Sequence, residues 1–142
     1  MSFVKVWMHT VFGTKNRYPF LEKELLIKVI THIAQNAKLK GIYIDTINGY
    51  ADHIHCLVSL NKELTISKTV NLIKGESSHW INKNSLTKRK FEWADEYFAV
   101  SVSESIVDKV RKYIVNQESH HKKESFLEEC EENNKVHMGL YE

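Results

Sequence analysis

Proline, glycine and cysteine are scarce in this 142-residue sequence, which contains one, five and two of them, respectively. No proline-rich or glycine-rich stretch predicts a linker, so we expect a single domain over residues 1–142. Cys56 and Cys130 are too few for a disulfide framework and do not form a CxxC metal site, which favours a reducing cytoplasm. The sequence also lacks a signal peptide and any apolar run long enough to span a membrane. We therefore expect a cytoplasmic protein with no membrane partner.

A strong excess of one charge is missing as well, since the formal net charge is only +2. The charges are unevenly distributed, however. Residues 118–142 contain seven acidic and three basic residues, whereas residues 1–117 have a net charge of +6. We expect the acidic segment to be a helical or partly flexible tail, and the basic remainder favours an anionic partner.

Hydrophobic periodicity predicts the secondary structure, because alternation indicates strands and apolar residues three and four apart indicate helices. Strands are expected at residues 3–12, 42–48, within 50–60 and 97–103, and helices at 21–38, at about 66–84 and after Ser103 or Ser105, either of which can cap the last one. A turn around Gly49 should join the second and third strands as a hairpin. This order predicts an α+β fold, the ferredoxin-like or RRM-like βαββαβ antiparallel sheet, with an additional long C-terminal helix.

The stretch "HIHCLVSL" in the third strand places two histidines one residue apart. Because successive side chains of a strand point to opposite faces, His53 and His55 share one face, and Ile54, Cys56 and Val58 share the other. Neighbouring imidazoles can bind one metal ion. A solvated strand face with two polar residues would give the same pattern, so the strand alone leaves both interpretations open.

The first strand, "FVKVWMHTVF", alternates in the same way. We expect Val4 and Val6 to face the two helices that cover one side of the sheet, and we expect the other side to be open. The open side would carry Lys5, Trp7, His9, His53 and His55. An exposed sheet with basic and aromatic side chains is a common platform for nucleic acids.

The last helix contains "RKYIVNQESHH". Three to four residues make one helical turn, so Tyr113, Gln117 and His120 project in one stripe. A half-buried tyrosine beside a solvated polar patch would account for this stripe equally simply.

Taken together, "DHIHCLVSL" and "VRKYIVNQESHH" resemble the single-tyrosine HUH transposases, in which HUH means histidine, hydrophobic residue, histidine. These are the relaxase-like enzymes of minimal bacterial insertion sequences and the REP-associated tyrosine transposases. The stretches "VWMHTVFGTKNRYPFL", "LIKGESSHWIN" and "FEWADEYFAVSVSES" are also similar to that family, and the resemblance covers about residues 3–122. The sequence departs from the family at Ala94 and Glu96, where glutamine and glycine are usual.

The resemblance implies an enzyme that cuts and rejoins single-stranded DNA at the ends of an element. Tyr113 would be the nucleophile, which forms a 5′-phosphotyrosine and releases a 3′-OH. His53, His55 and Gln117 would bind one Mg²⁺ or Mn²⁺. The resemblance further implies a homodimer and DNA partners with hairpin ends.

Several other residues are candidates for supporting functions. His120 or His121 could be an alternative metal ligand or a general acid or base, or only a polar helix end. Asp52 could orient His53, or only form a turn. Candidate phosphate contacts, chosen by charge and placement, are Arg17, Lys74, Lys5, Lys88, Arg89 and Lys90. Each of them could equally be solvated surface, and we expect Lys74 to lie off the apolar stripe of its helix.

Three alternative functions agree with the same residues. A non-catalytic DNA- or RNA-hairpin-binding domain of RRM-like fold would use the sheet but would not need Tyr113. A different metal phosphoesterase would use water instead of tyrosine as the nucleophile. A domesticated HUH endonuclease would retain hairpin cleavage without a mobile element.

Overall fold

Residues 2–117 are described by the computed structural model, and they form one antiparallel sheet with helices on both faces. The elements in chain order are β1 (Trp7–Gly13), α1 (Lys23–Leu39), β2 (Tyr43–Tyr50), β3 (His53–Ser59), α2 (Ile66–Lys83), β4 (Phe98–Val102) and α3 (Val107–Val115). The first six elements are the expected βαββαβ unit of the ferredoxin-like fold, and α3 is the expected additional helix.

The sheet has the strand order β2-β3-β1-β4, with every neighbouring pair antiparallel. The hairpin of β2 and β3 closes at Ala51 and Asp52, and Gly49 lies within β2 opposite Ile54. A Cβ atom on Gly49 would lie 2.3 Å from the carbonyl oxygen of His53, so only glycine fits this close crossing of strands. The predicted hairpin is confirmed, and Gly49 permits the approach of the strands rather than forming the turn.

The first strand is shorter than its alternating pattern suggested. It begins at Trp7, which pairs with Ser59 at the end of β3 and with Val102 at the end of β4. Residues before Trp7 therefore run past the ends of both neighbouring strands. Val4 and Val6 are exposed, so the expectation that they face the helices was wrong.

The larger hydrophobic core lies between the sheet and the pair α1 and α2. The face of β3 that was predicted to be apolar points into it, with Ile54, Cys56 and Val58 all buried. The helices contribute Val29, Ile33, Ala37, Val70, Ile73 and Ile81. Full burial of a valine or isoleucine side chain stabilises the fold by about 1.5–3 kcal/mol.

A second, smaller core covers the opposite face, where α3 packs on the sheet. Val107, Val110 and Ile114 of α3 contact this face beside Leu57 and Val102. The prediction of an open face was therefore wrong, and the residues expected on it that lie within the strands are buried: Trp7, His9, His53 and His55. The apolar stripe of α3 was visible in the sequence, but the sequence did not specify which side of the sheet it would cover.

The start of α3 also differs from expectation. A single 3₁₀ turn, Glu104–Ile106, precedes α3, and Ile106 occupies the cap position without a side-chain hydrogen bond. Ser103 and Ser105 instead share a hydrogen bond of 3.1 Å between their hydroxyls, so neither caps α3 as predicted.

None of the helices between residues 2 and 117 combines the length and apolar content that a membrane span requires.

Candidate active site

The two histidines of the HIH motif lie together on the α3 side of β3. Both are fully buried, and their ring centroids are 5.1 Å apart. They share a face, as strand alternation predicts, but the alternative of a solvated strand face does not agree with this burial. Burying two imidazoles is unfavourable unless their ring nitrogens find partners, so the surrounding side chains define what the pair can do.

Asp52 orients His53. Its Oδ1 lies 2.7 Å from His53 Nδ1, while Arg17 donates to its Oδ2 at 2.9 Å and 3.2 Å. Burial raises the pKa of Asp52, but the hydrogen bond and charge of His53, together with Arg17, outweigh burial and hold this pKa below 3.8. An ionised carboxylate only accepts hydrogen bonds, so His53 Nδ1 carries a proton, and Nε2 has a lone pair for a metal when the ring is neutral. This is the contact that the predicted orienting function of Asp52 requires.

A third imidazole, His9 of β1, joins the pair. His9 Nε2 lies 2.9 Å from His55 Nδ1, and the two ring centroids are 5.1 Å apart. His9 is only 1% exposed. The alternating pattern of β1 placed His9 on the correct face, but nothing in the sequence indicated that it contacts His55.

Tyr113 of α3 packs over this histidine cluster. It is 8% exposed, and the centroid of its ring lies 5.7 Å from that of His55 and 6.3 Å from that of His9. The phenol and the HIH motif therefore meet within one chain, although 58 positions separate Tyr113 from His55 in the sequence. A tyrosine beside imidazoles can serve as a nucleophile if a base or cation stabilises its phenolate.

Gln117 supplies an oxygen atom on the same stripe of the chain, one turn after Tyr113. Its side chain is fully buried, and Nε2 donates to the Tyr113 carbonyl oxygen at 3.1 Å. Among residues 2–117, no donor lies within hydrogen-bond distance of Gln117 Oε1. A buried acceptor in this state costs about 1–3 kcal/mol, which a metal ligand bond would offset. The predicted stripe partner His120 lies outside the described residues, as do His121 and the acidic segment 118–142.

The available ligand atoms fit a divalent metal ion that accepts both nitrogen and oxygen ligands. His53, His55 and Gln117 offer two imidazoles and an amide oxygen, which suits Mn²⁺ and is acceptable to Mg²⁺ with additional water ligands. No group of three His, Cys, Asp or Glu side chains suitable for a metal occurs in the described part of the chain. Among the described residues, a site here would therefore depend on the amide oxygen of Gln117.

An ion-pair cluster holds α3 against β2. Arg111 donates to both carboxylate oxygens of Asp45, at 2.8 Å and 2.9 Å, and to Asp108 at 2.7 Å. Near the end of α3, Asn48 donates to the Val115 carbonyl oxygen at 2.9 Å. The contacts of Arg111 with Asp45 and of Asn48 with Val115 fix the helix that carries Tyr113, and sequence patterns did not reveal them because their partners are 66 and 67 positions apart.

We expect Asp45→Asn to lower the free energy of unfolding by roughly 1 kcal/mol at neutral pH. The hydrogen bond from Arg111 is the largest influence on Asp45, and it holds the pKa of this carboxyl below its ordinary value of 3.8. The depressed pKa means that Asp45 contributes stability above its unfolded-state pKa, and that this contribution is lost as pH falls through the lower folded-state pKa.

Denaturant titrations of the two chains at a series of pH values measure this effect. The stability difference should shrink below about pH 4 as the wild-type carboxylate is protonated. Lys112→Ala removes an exposed charge from the same helix and is the matched control. A difference that stays constant through the acid range would contradict the predicted contribution of Asp45.

The predicted phosphate contacts are dispersed, and Lys74 is not on the surface. Lys74 is 8% exposed and donates from Nζ to the carbonyl oxygens of Ala94 at 2.6 Å and Asp95 at 3.1 Å. Burial lowers its pKa. The expectation that Lys74 lies off the buried stripe of α2 was wrong, because the loop before β4 folds over it and uses its ammonium group as a donor.

The other basic residues are more accessible. Arg89 stacks over the Tyr18 ring, with 4.3 Å from its guanidinium carbon to the ring centroid, and Lys90 lies 3.9 Å from Glu92. Lys88 is exposed, and Lys5 lies 3.8 Å from Glu104. Lys88, Arg89 and Lys90 thus form one basic segment. Arg17 instead donates to Asp52, the carboxylate that orients His53.

A family model described as "Transposase IS200 like" matches residues 2–117. Two solved structures share the fold. A candidate transposase of Deinococcus radiodurans R1 has a TM-score of 0.66 and 22% identity, covering 82% of this chain and 93% of that chain. A REP-associated tyrosine transposase bound to a REP hairpin has a TM-score of 0.64 and 14% identity, covering 85% and 72%. A search of curated protein sequences finds no match.

Proposed function

This chain belongs to the IS200-like transposase family, and we propose that it cuts and rejoins single-stranded DNA at element ends through a 5′-phosphotyrosine on Tyr113. The observation that carries the proposal is the position of the Tyr113 ring, 5.7 Å from the ring of His55 in the buried histidine cluster. A tyrosine that only packed a core would not need two oriented histidines and a buried amide oxygen as neighbours.

The proposed cleavage is a displacement at phosphorus. Tyr113 Oη loses its proton and forms a bond to the scissile phosphorus, while the bond from phosphorus to the 3′ oxygen breaks and that oxygen leaves as a 3′-OH after taking up a proton. In rejoining, a 3′-OH attacks the phosphotyrosine and Tyr113 regains its proton. Each step exchanges one phosphoester for another, so no ATP is needed.

The surrounding residues would lower the barrier to this exchange. We propose that His53, His55 and Gln117 hold one Mg²⁺ or Mn²⁺. Such an ion supplies charge that neutralises a non-bridging phosphate oxygen and favours ionisation of a phenol whose pKa in water is near 10. Asp52 and Arg17 keep His53 in the required tautomer and orientation.

Access of DNA to this site requires movement of its cover. His53, His55 and Gln117 are fully buried and Tyr113 is nearly so, because α3 lies across them. We propose that α3 separates from β2 when DNA binds, which breaks the contact of Arg111 with Asp45. In a homodimer, α3 of one subunit could bring its Tyr113 to the histidines of the other subunit.

The DNA partner that we propose has hairpin ends. A structural neighbour of this chain binds a REP hairpin, and residues 1–117 of this chain have a net charge of +6. The exposed basic segment of Lys88, Arg89 and Lys90, beside Tyr18, offers charge and an aromatic ring to a folded strand. We place the protein in the bacterial cytoplasm, at the nucleoid when it is bound to DNA.

Hairpin affinity should fall as salt concentration rises, because each phosphate contact releases counterions. We expect Lys88→Ala with Lys90→Ala to reduce the slope of log Kd against log salt by about 1–2. Lys38→Ala with Lys40→Ala removes the same charge from the exposed end of α1 and is the matched control. Fluorescence anisotropy with a labelled hairpin measures both slopes. An equal slope for both double variants would argue against this basic segment as the DNA contact.

The alternative functions differ in measurable products. A non-catalytic binding domain would bind the hairpin without cleaving it. A phosphoesterase that uses water would cleave without a covalent protein adduct. A domesticated HUH endonuclease would form the adduct but would not join it to a new target strand.

The direct test is incubation of the full chain and Mn²⁺ with a library of single-stranded hairpin oligonucleotides, followed by mass spectrometry of the digested protein. We expect one nucleotide adduct, on the peptide that contains Tyr113. Cleaved DNA with unmodified Tyr113 would overturn the proposal.

A further inference from the structure

We propose that His9 is a positioning residue that sets the tautomer of His55 and thereby turns the lone pair of His55 Nε2 toward the metal. This inference rests on the proposed function, because it assigns a partner to one of the proposed metal ligands. It concerns a residue of β1 to which neither the HIH motif nor the tyrosine stripe points.

The sheet holds His9 and His55 in fixed positions. β1 is a central strand, and Val11 lies directly opposite His55, so His9 is diagonal to His55 on the same face. Both side chains are at least 99% buried. Tyr113 packs on one side of His9 and Phe98 on another, with ring centroids 6.3 Å and 6.4 Å away. The 2.9 Å contact between His9 Nε2 and His55 Nδ1 is therefore built into the core.

A hydrogen bond between two neutral imidazoles has two possible directions. If His55 Nδ1 donates, His55 Nε2 has a lone pair and can bind a metal. If His9 Nε2 donates, the proton of His55 is on Nε2, which then cannot bind a metal. The direction of this one hydrogen bond decides whether His55 is a ligand.

His53 shows which direction the site requires. Its Nδ1 faces the carboxylate of Asp52, which only accepts hydrogen bonds and leaves Nε2 as the ligand atom. The two histidines lie on one face of one strand, so a common ion is best served when both present Nε2. The same geometry at His55 is obtained when His9 accepts through Nε2 and carries its own proton on Nδ1. His9 thus does for His55 what the carboxylate of Asp52 does for His53: it accepts the hydrogen bond from Nδ1.

The test compares three full-length proteins. His9→Gln keeps an acceptor oxygen near the position of Nε2, whereas His9→Leu removes the acceptor at similar volume. Long-range ¹H–¹⁵N NMR reports the tautomer of His55 without metal or DNA. We expect the Nδ1–H tautomer in the wild type and in His9→Gln, and a shift toward the Nε2–H tautomer in His9→Leu.

Electron paramagnetic resonance provides the second measurement, the dissociation constant of Mn²⁺ in the absence of DNA. We expect His9→Leu to weaken Mn²⁺ binding by about 10- to 100-fold and His9→Gln to retain most of the affinity. Phe98→Leu changes the packing beside His9 but keeps the acceptor, so it should leave the tautomer of His55 as in the wild type.

The outcomes separate the two proposals. A wild-type His55 with its proton on Nε2, or unchanged tautomer and Mn²⁺ affinity in His9→Leu, would overturn the assignment of His9. The expected tautomers and affinities without an adduct on Tyr113 would overturn the proposed function alone. If His9→Leu does not fold, Mn²⁺ binding by His9→Gln that is as weak as that of a His55→Ala chain also overturns the assignment.

Discussion

Tyr113→Phe is expected to abolish the covalent adduct with single-stranded DNA and to reduce cleavage by at least about 1,000-fold. The substitution removes the oxygen that we propose attacks phosphorus and keeps the ring that packs beside His9 and His55. The fold and the basic surface are therefore retained, and hairpin binding should be unchanged. Denaturing gels with a 5′- or 3′-labelled hairpin reveal the adduct directly.

Tyr43→Phe is the matched control for this experiment. Tyr43 is 60% exposed at the start of β2, so the loss of its hydroxyl removes the same atom from a place outside the histidine cluster. The control should form the adduct at the wild-type rate. An adduct of normal yield on the Tyr113→Phe chain would show that another residue is the nucleophile.

The double variant His53→Ala with His55→Ala should eliminate Mn²⁺-stimulated cleavage and reduce the residual rate by about 1,000-fold or more. Both imidazoles of the proposed site are then missing, and Gln117 alone cannot retain the ion. The measurement is the cleavage rate as a function of Mn²⁺ concentration, with a chelator-treated sample as the baseline.

Removal of two buried imidazoles also leaves cavities, so the unfolding midpoint of the double variant must be measured beside its activity. His53→Gln with His55→Gln fills more of this space and provides a second, better-packed chain that lacks both imidazoles. His79→Ala removes an exposed histidine of α2 and controls for weak surface binding of Mn²⁺. Wild-type cleavage by the glutamine pair, or cleavage that persists in chelator, would refute the metal function of the histidines.

The cover that α3 forms over the histidine cluster affects how the Tyr113→Phe and histidine variants are interpreted. Because α3 covers the histidine cluster, we expect a variant that weakens the contact between Arg111 and Asp45 to change access of DNA to the site as well as stability. Tyr113→Phe and the histidine variants leave that ion pair intact. Their effects therefore report chemistry at the site rather than the freedom of α3 to move.

Much of the architecture could be predicted from local patterns. The period-two alternation of β3 separates Ile54 and Cys56 from His53 and His55, and the helical spacing of four places Tyr113 and Gln117 on one stripe. These relations depend only on backbone geometry within one element. For this reason they agree with the structure, and the order of elements was sufficient to predict the ferredoxin-like sheet.

The predictions that proved wrong concern places where one strand, helix or loop meets another. Val4 and Val6 alternate as a strand does, but both lie before Trp7, where the ladder pairs of β1 with β3 and β4 begin, and Val6 meets the chain after β3 through a hydrogen bond that the Leu60 amide donates to its carbonyl oxygen. Lys74 has the charge of a surface residue, but the loop at Ala94 and Asp95 folds over it. In both cases a segment distant in the sequence determined the environment of the residue. A local sequence pattern does not predict where such a segment will lie.

By itself, the sequence determined which side chains share a strand face or a helix stripe, because backbone periodicity is a local property. Only the tertiary structure decided that α3 covers the histidine face, that His9 contacts His55, and that Arg111 reaches Asp45. The physical reason is that an apolar stripe is stabilised equally by any apolar surface, since the hydrophobic effect has no direction. The choice between the two faces of the sheet depends on the packing and hydrogen bonds of the whole chain, and that choice brings Tyr113 to the histidines.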